Sequence, residues 1–409
     1  MDSKRLRVGT SVLSIAAAVF LGIALAATAQ NPGGGAPNGA TPQAQQPAFP
    51  NLPLWAYPVN QGRGGPGGGA GRGPGGGGNF GGGGAPGGPG AAGAPGGAPA
   101  TAPSATNGGP GGAPGGAPGA ARGAGRGPVD DGSLKHVPGS DVGLTQTQIR
   151  SNGMYGFPDW FPNTHEGMPD IVAKGNNASG VQACAYCHLP TGQGRPENES
   201  ITGLPAGYIL QQLSDFKNGL RKGSDPRMGF TFMVRIGTNI SDEDAKTAAN
   251  YFASLKPRPW IRVVEADTVP VTRAAGGMLA AVDGGGTEPI GQRIIVVSED
   301  YERTELRDPS SGFIAYVPKG SIAKGKVLVT TGGNGKTIPC AICHGEGLKG
   351  IGNVPALAGR DPSQMARQII DIQNGVRTGP YSQLMKEPVR QLTNDDIVNI
   401  LAYTASLQP

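Results

Sequence analysis

The chain has 409 residues, 73 of them Gly and 38 Pro, with aromatics at only 5% and a formal net charge of +5. The Gly and Pro excess lies mostly between Asn31 and Pro128, which leaves about 280 residues elsewhere, enough for two small domains. Residues 1–29 contribute +2 and the stretch to Pro128 another +4, so everything from Val129 onward carries −1; basicity therefore gives no ground for a nucleic-acid partner.

The first element reads as a secretory signal, residues 1–29. Lys4, Arg5 and Arg7 form a basic start, an apolar run follows from Val12 to Ala27, and Ala27-Thr28-Ala29 offers a small-residue cleavage site. Export to the periplasm or an equivalent space is expected. If the run stays uncleaved it tethers the protein to the membrane instead.

Residues 30–128 follow as a disordered Gly/Pro/Ala-rich linker, since they lack the apolar side chains that would offset the entropy of ordering. As a flexible chain this stretch spans roughly 50–60 Å. One aromatic island interrupts it: Phe49, Leu52, Leu54, Trp55 and Tyr57, broken by Pro50, Pro53 and Pro58. Two readings stand, a docking motif or a sticky spot in a tether, and the second is favoured.

All four cysteines fall in two pentapeptides, Cys184-Ala185-Tyr186-Cys187-His188 and Cys340-Ala341-Ile342-Cys343-His344. C-x-x-C-H is the attachment pattern of c-type haem. Two thiols three positions apart reach the two vinyl groups on one porphyrin edge, and the adjacent imidazole is carried to the iron. A single zinc site is excluded by the long separation of the two pairs, and paired disulfides leave the two histidines unexplained. The expected cofactors are two covalently attached haem c groups.

The motifs open matching segments. At a shift of 156 residues, Gln212 to Arg221 (QLSDFKNGLR) falls on Gln368 to Arg377 (QIIDIQNGVR); at 152, Ser241 to Pro257 falls on Thr393 to Pro409. Ile209, Leu213, Phe216 and Leu220 match Met365, Ile369, Ile372 and Val376, one apolar stripe on a helix. Asn218-Gly219 and Asn374-Gly375 are expected stops. Ser241 and Thr393 are expected N-caps, with Asp244 and Asp396 three residues on. Each unit reads as motif, loop, helix, loop, helix.

Between the units, residues 258–319 hold short β-like runs at Ile261 to Val264, Ile294 to Val297 and Phe313 to Val317, expected as a small hairpin or an extended strap that braces the units. Gly320 to Thr330 is expected as the leading helix of the second unit.

On CAYCH and CAICH, VPALAG at Val354 to Gly359, the paired QLSDFKNG and QIIDIQNG runs and the final SDED and TNDD helices, the chain resembles class I cytochromes c, in particular the two-domain cytochrome c4 type. The likeness covers about Ala183 to Pro257 and Ile338 to Pro409. It implies a mostly α fold: two small cytochrome c-type haem domains in tandem, 129–257 and 320–409, preceded by the disordered segment.

The resemblance also implies axial ligands. His188 and His344 would bind the irons on one side. Met233 and Met385, each eight residues before the final helix cap, would bind on the other, with Met228 a rival to Met233. Met365 is a core residue. His136 and His165 precede the first motif and read as solvated loop residues. Pro355 occupies the position whose carbonyl orients the proximal imidazole in the family; Glu199 stands there in the first unit, a departure that a backbone carbonyl still permits.

Closed His/Met irons suit an electron-transfer protein with no catalytic residues, no small-molecule substrate and redox proteins as partners, an electron donor and a terminal oxidase or reductase. Two alternatives remain: the cytochrome subunit of a periplasmic dehydrogenase or other oxidoreductase, and a di-haem enzyme with one open iron.

Overall fold

The computed structural model describes residues 52–58, 130–165, 167–228 and 230–409. The signal and most of the proposed linker lie outside the described residues.

The first unit opens with short turns, then places its C-x-x-C-H pentapeptide in a one-turn helix, α1 (Cys184–His188). Three longer helices follow: α2 (Ala206–Lys217), α3 (Phe230–Asn239) and α4 (Asp242–Ser254). α2 stops where expected, at Asn218, with Gly219 at φ +67° turning the chain away. The Ser241 hydroxyl accepts the Asp244 backbone N–H and so starts α4. Tyr208 and Ile209 of α2 share a core with Ala245, Ala248, Ala249 and Phe252 of α4, and Val172 and Leu204 belong to it too.

The connector is more than a hairpin or a strap. The three expected strands appear as β1 (Ile261–Ala266), β6 (Ile295–Ser298) and β7 (Phe313–Pro318), but β7 runs between the others, parallel to β1 and antiparallel to β6. Two small antiparallel pairs fill the interval, β2 (Thr268–Pro270) with β5 (Thr287–Pro289) and, between them in the chain, the hairpin of β3 (Thr272–Ala275) with β4 (Met278–Ala281). Strands of three or four residues carry too little alternation to read from sequence. Phe313, Ala315 and Val317 alternate inward from β7 and share one core with Ile370, Ile372, Ile397 and Leu401 of the second unit.

The second unit comprises α5 (Ser321–Thr331), α6 (Ala341–His344), α7 (Pro362–Gln373), α8 (Pro380–Val389) and α9 (Asn394–Ser406). Thr393 and Asp396 form the full reciprocal capping box. α5 presses so closely on α9 that a Cβ at Gly325 would lie 1.8 Å from the Asn399 carbonyl oxygen, so only glycine fits. The segments carrying Met233 and Met385, expected as loops, are helices α3 and α8. α3 is rich in aromatic and β-branched residues and α8 contains Pro388, so propensity hides both.

The units meet across a seam with near two-fold repetition. Lys222 N–H donates to Val376 O (3.0 Å) and Thr378 N–H to Leu220 O (2.7 Å), the same bond read from either side of the repeat. Arg221 donates to its own Gln212 (2.9 Å) and to Gln368 of the other unit (3.0 Å); Arg377 donates to its own Gln368 and to Gln212 (2.8 Å). Such reciprocal contacts are the signature of an isologous interface. Arg221 also pairs with the Glu199 carboxylate (2.5 Å), and Arg377 donates to Tyr208, whose hydroxyl donates to Glu199 (3.1 Å).

The aromatic island is a correction to the linker reading. Residues 52–58 are not a tether but pack onto the seam, with Trp55, Ala56 and Tyr57 buried. The Tyr57 hydroxyl donates to Asp371 of α7 (2.9 Å), and the same carboxylate oxygen accepts Ser224 N–H (2.8 Å) and Oγ–H (2.7 Å) from the first unit. Arg367 donates to the Ala56 carbonyl (2.7 Å) and to the Pro196 carbonyl. The segment thus staples both units at once.

Two outcomes follow for stability. Tyr57→Phe keeps the ring but removes a donor from buried Asp371, and should cost about 1–2 kcal/mol, while Trp55→Ala should cost about 3 kcal/mol; denaturant unfolding of the holoprotein measures both, and unchanged midpoints would mean the segment does not hold the units. The second outcome concerns pH. Burial raises the Glu199 pKa, but Arg221 and Arg377 with the bonds from Arg221 and Tyr208 outweigh it and bring it from 4.5 to about 2. Its folded value lies below its unfolded one, so this stabilisation is whole above pH ~4.5 and is lost as pH falls toward 2, on the order of 3 kcal/mol. Glu199→Gln should flatten the stability profile in that window, and an unaltered acid limb would rule the pair out as its source.

Candidate functional site

Both C-x-x-C-H turns have the same local construction. The carbonyl after each turn is tied down by a glycine six residues on: Gly194 N–H donates to His188 O (2.8 Å) and Gly350 N–H to His344 O (2.7 Å). The chain leaves each histidine through positive φ, at Gly345 (+76°) and at Leu189 (+62°). At Leu189 a side chain occupies a region normally left to glycine, a strain of order 1–3 kcal/mol.

The imidazoles are held identically. His188 Nδ1 lies 2.8 Å from the Glu199 carbonyl and His344 Nδ1 lies 2.8 Å from the Pro355 carbonyl, each eleven residues on. A carbonyl only accepts, so Nδ1 carries the proton and Nε2 presents a lone pair. Burial also lowers both imidazole pKa values, which keeps the rings neutral. The departure at Glu199 leaves this bond intact because the backbone supplies it, and the edge of Phe252 packs against the His188 ring (6.3 Å between centroids).

The donor set fits a haem iron. His344 Nε2 is buried without a hydrogen-bond partner, a costly state for a lone pair unless a metal takes it. Burial raises the Cys184 thiol to about 12 and the Cys340 thiol to about 11, so both rest protonated near neutral pH. No disulfide joins the four cysteines, and among the described residues no group of three or more His, Cys, Asp or Glu is arranged to hold a metal ion.

Met233 on α3 and Met385 on α8 are both half-buried, and Met385 borders the same core as Cys340. Met228 is buried in that same core, with Trp55 and Met278, and not in the one that Cys184 of the first motif borders. Met365 is buried in α7, as expected. His136 is exposed. His165 is not the solvated residue expected from sequence: its ring is mostly buried, bonds Asp159 (2.8 Å) and meets the Phe157 ring edge-on.

Sequence reasoning missed one set of contacts. Arg307 of the connector lies over the Tyr186 ring (3.8 Å to its centroid) and donates to the Tyr186 carbonyl (2.6 Å), and Asn198 donates to the Cys187 carbonyl (3.1 Å). Arg307 lies 121 residues from its partner, and no local pattern announces such a pair.

The cytochrome c family model matches residues 172–256. Cytochrome c4 of Azotobacter vinelandii is 26% identical over 246 residues, covering 58% of this chain and 90% of its own. A thiosulfate dehydrogenase electron acceptor of Stutzerimonas stutzeri is 25% identical over 58% of this chain and 84% of its own. Cytochrome c-554(548) of Halomonas halodenitrificans is 31% identical over 75 residues, which is 18% of this chain and 86% of its own. Paired motifs, locked imidazoles and these relatives lead to one conclusion: the chain belongs to the cytochrome c family and is similar to cytochrome c4 across both of its units.

Proposed function

We propose that the protein is a periplasmic di-haem cytochrome that passes electrons between redox proteins. The observation that carries this reading is the doubled imidazole lock, His188 on Glu199 O and His344 on Pro355 O, which leaves the Nε2 lone pair of each ring free to bind a metal. Cys184 and Cys187 would attach one haem and Cys340 and Cys343 the other, with His188 and His344 as proximal ligands. When bound, the haem iron supplies a one-electron couple tuned by its axial ligands and surroundings.

The protein's own residues do the rest. The carbonyls of Glu199 and Pro355 hold each ring plane and keep the proton on Nδ1. Met233 and Met385, at matching places on α3 and α8, would each supply an iron with a second ligand. The burial of Met228 with Trp55 and Met278 favours Met233 over it. Export rests on the N-terminal signal pattern; among the described residues no helix is long and apolar enough to cross a membrane.

A second reading is favoured by the relative named as a thiosulfate dehydrogenase electron acceptor: the protein would serve as the electron-accepting partner or subunit of such an enzyme and have no activity alone. Both readings require closed irons.

Visible spectra of the oxidised and dithionite-reduced holoprotein, with and without carbon monoxide, test the proposal. A far-red Met–Fe(III) band and no response to carbon monoxide are expected; carbon monoxide binding by half the haem would sink the carrier reading in favour of an enzyme. Met233→Ala and Met385→Ala should each open one iron to carbon monoxide and lower its midpoint potential, while Met228→Leu should leave both sites closed. An iron opened by Met228→Leu and not by Met233→Ala would reverse the ligand assignment.

A further inference from the structure

A cleft of about 380 Å³ lies beside the loop that follows the first C-x-x-C-H turn, large enough for a small aromatic molecule. Four stretches of chain build its apolar walls: the leading segment at Phe161, the loop at Pro190, the end of α4 at Leu255 and the connector at Pro309. Because these lie far apart in the chain, the sequence alone predicts no small-molecule site. Two bonds fix the walls in place. The Trp160 indole N–H donates to the Leu306 carbonyl of the connector (2.8 Å), and the Tyr251 hydroxyl donates to the Pro190 carbonyl (2.9 Å).

Two polar groups in the cleft lack partners among the described residues. His165 Nε2 lies 2.8 Å from Asp159 Oδ1. A carboxylate accepts, so Nε2 carries a proton, and in the neutral ring Nδ1 is left as an acceptor with nothing bonded to it. The Thr191 hydroxyl is buried and equally unbonded, which costs free energy until a partner arrives. Burial and the nearby Asp159 charge push the Tyr251 hydroxyl up to about 12, so Tyr251 stays a donor and His165 is the base of the cleft. The Asp159 carboxylate disfavours an anion here. A flat, neutral ring fits, with one hydroxyl for His165 and a second oxygen for Thr191.

The cleft also adjoins the residues that carry His188. Pro190 and Thr191 follow it two and three positions on. Tyr251 packs edge-on against Phe252 (5.2 Å between centroids), whose ring in turn meets the His188 imidazole.

We infer that this cleft binds a hydroquinone and passes its electrons to the first centre, with His165 accepting its protons and Asp159 holding the imidazole in place. Oxidation of one hydroquinone breaks two O–H bonds and turns both ring hydroxyls into carbonyls. Two electrons leave, one for each ferric haem iron, and the two protons leave in turn through His165 to water. The electrons cross without any bond to iron, so closed axial sites are no obstacle. The inference rests on the electron-carrier reading and deepens it, since it names the chemical class of one donor.

Two measurements on the full-length holoprotein test it. Titration calorimetry with resorcinol, a dihydroxybenzene that forms no quinone, should show a single bound molecule per chain. His165→Phe and Thr191→Val should each weaken that binding, the first by roughly tenfold. Anaerobic stopped-flow reduction by 1,4-hydroquinone should saturate with its concentration, and resorcinol should inhibit it competitively, which probes the site without any substitution. His165→Phe should lower the saturated rate by roughly a hundredfold while leaving reduction by dithionite unchanged. Unaltered haem spectra show that the variants fold. Absence of resorcinol binding, or binding that neither substitution weakens, overturns the site. Binding that both substitutions weaken, beside a hydroquinone rate that stays linear in concentration and indifferent to resorcinol, overturns the electron transfer. A protein that ascorbate does not reduce and ferricyanide does not reoxidise would refute the carrier reading, and the electron transfer with it, while the calorimetry would still decide the site.

Discussion

A buried guanidinium needs acceptors, and here two of them draw theirs from both units at once. Arg221 and Arg377 are both buried at the seam, each bonded to its own unit's glutamine and to the other's. Separating the units would leave each cation short of an acceptor, and an uncompensated buried charge costs several kcal/mol. The seam therefore fixes register as well as contact. It also reaches the first candidate metal centre directly, because Glu199 pairs with Arg221 through its side chain and holds His188 through its backbone.

On this repeated frame the two halves have diverged. Pro355 offers His344 a carbonyl and nothing more, while Glu199 offers His188 a carbonyl and adds an ionised carboxylate to the seam. The β-structure of the connector shares its core with the second unit through Phe313, Ala315 and Val317, yet spends Arg307 on the first. A duplicated unit in this molecule is a common scaffold with separate surroundings, which is how one protein can hold two centres of the same construction in different electrostatic settings.

What was legible in the sequence is what is encoded locally. The C-x-x-C-H spacing, the apolar stripes of α2 and α7, the caps at Ser241 and Thr393 and the stops at Gly219 and Gly375 each act within a few residues of themselves. The imidazole lock is legible only through the family resemblance, and because it rests on a backbone atom at a fixed offset it is indifferent to the change from Pro355 to Glu199. Helices α3 and α8 escaped notice because packing overrides their poor propensity. The parallel pairing of β1 with β7, the crossed arginines and the stacking of Arg307 on Tyr186 are long-range choices, and nothing in the neighbouring residues records them.

The docked segment at residues 52–58 makes the seam a three-way junction. Tyr57 and Ser224 of the first unit meet on one carboxylate oxygen of Asp371, and Arg367 binds the Ala56 carbonyl together with the Pro196 carbonyl of the first unit. Parting the units would therefore unseat the segment, and unseating the segment would leave Asp371 and Arg367 each short of a partner. Each of the three pieces guards the contact between the other two.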